Sequence, residues 1–183
     1  GGMVLTSDDA VAALVRRDRH QGQRAPYVHE SVGLCSRLDA LQAAALGVKL
    51  RRLDGWNARR REVAGWYAAW LRQAGLAGAD DAPLRLPREA GEAHVFHQYV
   101  VRARDRDALR AFLSAAEVDT QVYYSLPLHL QPALAHLGHR EGEFPHAERA
   151  SREVLALPIY PELTRPAAET VVEAIARFYG SGA

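Results

Sequence analysis

The chain has 183 residues, of which 48% are hydrophobic and 25% charged, a composition typical of a soluble globular protein. Its 23 basic and 22 acidic side chains leave a formal net charge of +1, which argues against a nucleic-acid or membrane surface. Cys35 is the only cysteine, so an internal disulfide and a cysteine-rich metal site are both excluded. No apolar run is long enough to span a bilayer and no secretory signal is evident, so we expect a cytoplasmic protein.

The chain also has a single lysine, Lys49, whereas arginine occurs throughout. Chemistry that requires a lysine amine would therefore use Lys49 or a group from elsewhere. The neighbouring residues, GVKLRRLD, place Lys49 among other cations on a predicted helix. This setting favours a surface residue over a desolvated, reactive amine.

The first elements predicted along the chain are a strand and a helix. Residues 3–6 (MVLT) are typical of a short buried strand, and Ser7 is a suitable N-cap for a helix that extends to about Arg19. A strand–helix pair cannot bury both of its faces, so we expect this segment to dock onto further structure.

A loop over residues 20–34 is followed by the longest periodic segment of the chain. Apolar residues recur at helical spacing from Leu38 to Trp70, but two internal glycines weaken the helix, so the pattern fits one bent helix or two consecutive ones. The glycine-rich stretch that ends near Gly78 predicts a domain boundary.

Beyond this boundary, short strands and helices alternate, which predicts a small α/β domain. The predicted strands are residues 84–86, 95–101 and 120–124. The predicted helices begin at Asp105 or Asp107, extend from Pro145 to Leu155, and extend from the cap Thr164 to Gly180.

Three stretches carry a resemblance to a known family. They are GGMVLTSDDAVAALVRRDRHQG, VGLCSRLDALQAAALGVKLRRLDGWNARRREVAGWY, and DTQVYYSLPLHLQPAL with FPHAERASREVLALPIYPELT. The second is similar to the family segment G-[YF]-N-x-R-[LM]-x-x-[LI]-Q-A-A, and the third is the most specific. Together they resemble the DegT/DnrJ/StrS family of nucleotide-sugar aminotransferases, which depend on pyridoxal 5'-phosphate (PLP).

The resemblance implies an α/β fold, namely the C-terminal part of a type I PLP-dependent transferase (aspartate aminotransferase-like) fold. Residues 1–36 would be the terminal strand, helix and loop of a truncated large PLP-binding domain. Residues 37–78 would be the long connecting helix or helices. Residues 79–183 would be the small C-terminal α/β domain.

The resemblance also implies an activity. The family transfers an amino group from glutamate or glutamine to a keto-sugar on a nucleotide diphosphate, with PLP as electron sink and a lysine that carries the proton. The family lysine lies upstream of the Gly-Gly-Met that opens this chain. We therefore expect the parent enzyme, a homodimer with shared active sites, to be active and this chain alone to be inactive.

Two predicted site residues lie in the second stretch. Cys35 stands where the family has an asparagine that contacts the cofactor phosphate, and a thiol is a weak donor, so a half-buried structural residue is an equal alternative. Arg37 matches the arginine that looks like the ligand of the amino donor's carboxylate, because a guanidinium grips both oxygens. The alternative for Arg37 is a salt bridge with Asp39 or Glu30.

The third stretch contributes Tyr124 and His129 as predicted substrate-binding residues. In the family, a histidine at the position of His129 lies near the sugar-nucleotide pocket, and the alternative is a core histidine bonded to backbone. Glu117 stands where the family often has a glycine of positive φ. The histidine spacing in this region has no cysteine partner, and we predict no metal site.

Two other functions remain open. A truncated relative could bind nucleotide-sugars, or an aminotransferase subunit, without catalysis, and the changes at Cys35 and Glu117 motivate this alternative. A third alternative keeps the fold but uses a histidine in place of the lysine, as in PLP-dependent sugar dehydratases.

Overall fold

The computed structural model describes residues 2–88 and 91–180, and of Glu92 only the backbone. The chain divides into two compact units, Gly1–Leu53 and Asp54–Ala183. The sequence predicts boundaries at residues 36/37 and 78/79, and this division stays a prediction. The predicted ranges also include residues 1, 89, 90 and 181–183, which lie outside the described part.

In the N-terminal unit, residues without regular secondary structure precede a helix, α1 (Asp9–Asp18). The carboxylate of Asp8 accepts hydrogen bonds from the N–H groups of Ala10 and Val11 at 2.8 and 3.2 Å, so the N-cap is Asp8 and not the predicted Ser7. Residues 2–6, all of which the structure describes, form no strand. The predicted strand at 3–6 is therefore wrong, because no other described strand pairs with it.

A short antiparallel hairpin follows, formed by β1 (Gln23–Ala25) and β2 (Val28–His29). The base of the hairpin requires glycine. Gly22 has φ +69°, and a Cβ there would lie 1.9 Å from the carbonyl oxygen of Ser31. A Cβ on Gly33 would lie 2.3 Å from the backbone nitrogen of Gly22. The loop can close this tightly only because neither residue carries a side chain.

The predicted long helical segment forms two consecutive helices, α2 (Ala40–Leu50) and α3 (Leu53–Gln73). No residue of α2 is buried. One face of α3 is buried in the C-terminal unit, through Val63, Ala64, Tyr67, Ala68 and Leu71. This burial explains why α3 belongs to the C-terminal unit.

The C-terminal unit contains an antiparallel sheet of order β3-β4-β5. Its strands are β3 (Leu84–Arg85), β4 (Tyr99–Ala103) and β5 (Val154–Leu157). Its further helices are α4 (Arg106–Ala115), α5 (Pro145–Glu153) and α6 (Arg165–Gly180), with 3₁₀ turns at Gly91–Ala93, Leu128–Leu130 and Pro132–Leu137. Helices and short strands alternate, which confirms the predicted α/β class.

Three predicted elements of this unit need correction. The second strand begins at Tyr99 and not at residue 95. Residues 120–124 form no strand and contribute only one bridge, between Gln121 and Ala156. The helix that begins at Pro145 ends at Glu153 and not at Leu155, and the next four residues form β5. For β4 and β5, pairing with a distant strand decides the local conformation.

The core of the C-terminal unit lies between the sheet and its helices. Its largest fully buried apolar side chains are Val63, Tyr67, Leu71, Leu84, Tyr99, Val101, Leu109, Leu113, Leu155 and Ile175. Burial of such a side chain stabilises a fold by about 1.5–3 kcal/mol. In the N-terminal unit, by contrast, Gly22 is the one buried residue among those described. In residues 2–88 and 91–180, no helix has the length and apolar character needed to cross a membrane.

Candidate functional site

The predicted residues Cys35 and Arg37 lie together in the N-terminal unit, between the hairpin and α2. Cys35 forms a backbone bridge with His20, and its thiol is exposed. The Nη2 group of Arg37 is 3.6 Å from Sγ of Cys35. Neither of the alternative partners of Arg37, Asp39 or Glu30, forms an ion pair with it, because Asp39 caps α2 and Glu30 pairs with Arg24.

Arg37 lines a cavity of about 740 Å³ in this unit. Arg16 and Arg19, at the end of α1, line the same cavity, and no carboxylate lines it. None of the three guanidinium groups forms an ion pair within the described part of the chain. A cluster of unpaired guanidinium groups suits a carboxylate or a phosphate, because a guanidinium can donate two parallel hydrogen bonds to either anion.

The sequence had identified Arg37 but not Arg16 and Arg19. Their spacing of three residues at the end of one helix was the available signal, because such residues are neighbours on the helix surface. What the sequence lacked was the proximity of α1 to the segment after the hairpin. The N–H of Ser36, next to Arg37, donates to the carbonyl of Arg19 at 2.9 Å and fixes that proximity.

Lys49 is the one lysine of the chain to which PLP could be covalently attached. It is exposed near the end of α2, a helix with no buried residue. A lysine that forms a covalent link to the cofactor needs a desolvated amine of lowered pKa. The described residues therefore fit an anionic group of a cofactor or substrate, and they do not fit covalent attachment of PLP.

The C-terminal unit has a largely apolar groove of about 570 Å³, which we call the tyrosine groove. It is lined by Tyr123, Tyr124, Leu126, Pro127, Leu128, His129, Leu134, Leu137, His139, Phe144, Ala147, Ala150, Ser151 and Val154. The two residues that the sequence had singled out here, Tyr124 and His129, thus share one cavity. Tyr124 is 82% exposed and its backbone has φ +60°, a conformation that residues other than glycine seldom adopt.

His129 is held at the groove by a buried carboxylate. Its Nε2 lies 3.0 Å from Oε1 of Glu148, and the two side chains are 8% and 5% exposed. The ring of Phe144 packs against the imidazole at 4.7 Å between centroids. The partner of His129 is therefore a side chain and not the backbone, and the sequence had not identified Glu148.

The carboxylate of Glu148 also accepts hydrogen bonds from two backbone N–H groups, those of Gly142 at 2.8 Å and Phe144 at 3.3 Å. Burial raises the pKa of the Glu148 carboxyl, but these two N–H groups and His129 lower it by more, so the pKa lies below its ordinary value. Glu148 is therefore an ionised acceptor at neutral pH.

Two other histidines of this region, His139 and His146, contact side chains that are close to them in the sequence. His139 lies 2.8 Å from Oε2 of Glu143, and His146 lies 3.3 Å from Arg149. Within the described ranges 2–88 and 91–180, no three histidine, cysteine, aspartate or glutamate side chains are close enough to hold a metal ion.

Comparison with known proteins identifies the family. The sequence profile of the DegT/DnrJ/EryC1/StrS aminotransferase family matches residues 1–176. The chain is 46% identical to a protein of Geobacillus stearothermophilus named "Pleiotropic regulatory protein", over 98% of this chain and 47% of that protein. It is 43% identical to the dTDP-3-amino-3,4,6-trideoxy-alpha-D-glucose transaminase of Streptomyces venezuelae, over 96% of this chain and 45% of that protein.

Solved structures agree with the sequence comparison. DesV of S. venezuelae superimposes with a TM-score of 0.84 at 42% identity, over 95% of this chain and 45% of DesV. An aminotransferase from Brucella abortus gives a TM-score of 0.82 at 29% identity, over 96% and 45% of the two chains. The predicted aminotransferase fold is confirmed, and the chain spans about half the length of the relatives it matches. The chain belongs to the DegT/DnrJ/EryC1/StrS aminotransferase family.

Proposed function

We propose that this chain is the C-terminal part of a PLP-dependent enzyme that transfers an amino group from glutamate or glutamine to a keto-sugar linked to a nucleotide diphosphate. The observation that carries the proposal is the family match over residues 1–176. The name of the S. venezuelae relative, a transaminase of a dTDP-linked amino sugar, supports this substrate class.

The two cavities take different parts of this reaction. The cavity of Arg16, Arg19 and Arg37 binds the carboxylate of the amino donor, because its guanidinium groups are unopposed by acids. The tyrosine groove, with Tyr124 and His129, binds the nucleotide-sugar, because it is apolar with a few polar groups. Cys35 offers an exposed thiol, a weak donor, so we assign it no main part in anchoring the cofactor phosphate.

The remaining parts of the active site come from outside the described residues. PLP, when bound, supplies the electron sink for the reaction. We propose that its lysine lies on polypeptide that precedes residue 1, since Lys49 is exposed. We further propose a cytoplasmic homodimer with shared active sites, as the family resemblance implies.

The test uses the protein as its native gene encodes it, incubated with PLP and reduced with borohydride. We expect an intact mass above 20.1 kDa and a reduced adduct on a lysine other than Lys49. The matched control is Lys49→Arg, which should keep the adduct and the transfer of an amino group from glutamate. An adduct on Lys49, or no adduct on any lysine, would overturn the proposal.

A second candidate is a binding protein without catalysis. The observation that favours it is the exposure of Cys35, at the expected cofactor-phosphate position, and of Lys49, the single lysine of the chain. A native product of 20.1 kDa that forms no adduct but binds a nucleotide-sugar would establish this candidate in place of the first.

A further inference from the structure

The hydrogen bonds of Glu148 determine the state of the neighbouring imidazole. The three hydrogen bonds of its carboxylate are all made by one oxygen, Oε1, which accepts from Gly142, Phe144 and the Nε2 of His129. An ionised carboxylate can only accept hydrogen bonds. The hydrogen between Nε2 and Oε1 must therefore be carried by His129.

A neutral imidazole with a hydrogen on Nε2 has an unprotonated Nδ1, which is a hydrogen-bond acceptor. The Nδ1 of His129 has no hydrogen-bond partner within the described part of the chain. The side chain is more than nine-tenths buried, and its residue lines the tyrosine groove. An acceptor that has no protein partner, on a residue that lines a cavity, is suited to a ligand atom that donates.

The surroundings of Nδ1 make it one of the few groups in the groove that can orient a ligand. The lining of the tyrosine groove is mostly apolar, so few polar groups can orient a ligand there. Ser151 also lines the groove, but its hydroxyl donates to the carbonyl of Glu148 at 2.8 Å. An acceptor lone pair repels a phosphate oxygen and attracts a hydroxyl hydrogen, so Nδ1 favours a hydroxyl group over the diphosphate of a nucleotide-sugar.

We propose that Glu148 is a positioning residue that holds His129 in the Nε2–H tautomer, and that Nδ1 of His129 accepts a hydrogen bond from a hydroxyl group of the nucleotide-sugar. The identity of this ligand rests on the proposed function. The tautomer and the free acceptor rest only on the contacts of Glu148 and His129.

The first experiment measures binding of dTDP-glucose to the native gene product by calorimetry. His129→Gln keeps an N–H group that can donate to Glu148 but removes the Nδ1 acceptor. We expect this variant to weaken binding by about threefold to tenfold, as loss of one hydrogen bond does. The matched control is His146→Gln, on the same helix as Glu148 and outside the groove lining, which should bind as the wild type does.

The second experiment reads the tautomer directly, by nitrogen-15 NMR of the histidine side chains at neutral pH. We expect a hydrogen on Nε2 of His129, and a hydrogen on Nδ1 would overturn the positioning role. Equal dTDP-glucose binding by wild type and His129→Gln, or no binding to either, would overturn the ligand contact. If the native product binds in the expected order but transfers no amino group, the inference stands and the proposed function fails.

Discussion

The backbone N–H of Val118 donates to the carbonyl of Leu113 at 2.9 Å, across the end of α4. The N–H of Glu117 donates to the carbonyl of Ser114 at 3.1 Å, and Glu117 has φ +59°. This pair of bonds is the Schellman motif, in which glycine usually takes the left-handed position. Val118 and Leu113 are both buried, so the motif also closes an apolar contact under the turn.

Replacement of Glu117 by glycine should stabilise the C-terminal unit. Glycine adopts this backbone conformation without strain, although it also increases the entropy of the unfolded chain. We expect the free energy of unfolding in urea to rise by about 0.5–1 kcal/mol. The control is Ala116→Gly, one residue earlier at φ −91°, which should lower it. A loss of stability in Glu117→Gly would contradict the assignment of strain.

Tyr67→Phe should destabilise the C-terminal unit. The hydroxyl of Tyr67 donates to the carbonyl of Pro158 at 2.9 Å, and burial raises the pKa of this phenol well above its ordinary value. Phenylalanine leaves the carbonyl without its donor, so we expect a loss of about 1–3 kcal/mol in the free energy of unfolding. Tyr160→Phe, at a tyrosine that is 46% exposed, is the control and should change it little. Equal effects of the two variants would contradict a role for the buried bond.

The stability that Glu148 contributes should depend on pH. Its pKa in the folded protein is lower than in the unfolded chain, so the ionised form stabilises the fold above the ordinary glutamate pKa of about 4.3. This stabilisation is lost as the pH falls through the lower, folded pKa. We expect the difference in unfolding free energy between wild type and Glu148→Gln to be largest at neutral pH and to shrink below about pH 4.

The control for this experiment is Glu173→Gln, at an exposed glutamate on α6. Its difference from wild type should stay nearly constant over the same pH range. A difference for Glu148→Gln that grows on acidification would mean that Glu148 is protonated in the folded protein.

Arg37 should govern the affinity for the amino donor in the native gene product. Removal of a guanidinium that binds a carboxylate costs about 1.5–3 kcal/mol, so Arg37→Ala should raise KM for glutamate by roughly tenfold to a hundredfold. Arg37→Lys should recover part of this loss, because lysine keeps the charge but not the two parallel donors. Arg24→Gln, which breaks an exposed ion pair with Glu30, is the control and should leave KM unchanged. An unchanged KM in Arg37→Ala would contradict the proposal that Arg37 binds the carboxylate of the amino donor.

The helices of this chain were predicted well because each carries its own signal. The apolar periodicity of α3 and α6 is a local property of the sequence. The first two residues of β5, Val154 and Leu155, were predicted as the end of a helix, because they contain no helix breaker. Pairing of Val100 with Ala156 and Val101 with Leu155 overrides that local preference, and such pairing joins residues more than fifty positions apart.

The residues of the candidate site also fall into two groups, those that the sequence predicted and those that only the structure identified. Arg37, Tyr124 and His129 could be proposed from motifs, and the family itself followed from three stretches of sequence that the comparisons confirm. Glu148, Arg16 and Arg19 could not be assigned, because their roles come from contacts across the chain and not from neighbouring residues. Hydrophobic periodicity and family motifs are formed by residues that are close together in the sequence. The sequence alone therefore determined the class of fold and the family. The partner of His129, the cluster of arginines and the end of α5 depend on which distant groups meet, and only the tertiary structure decided them.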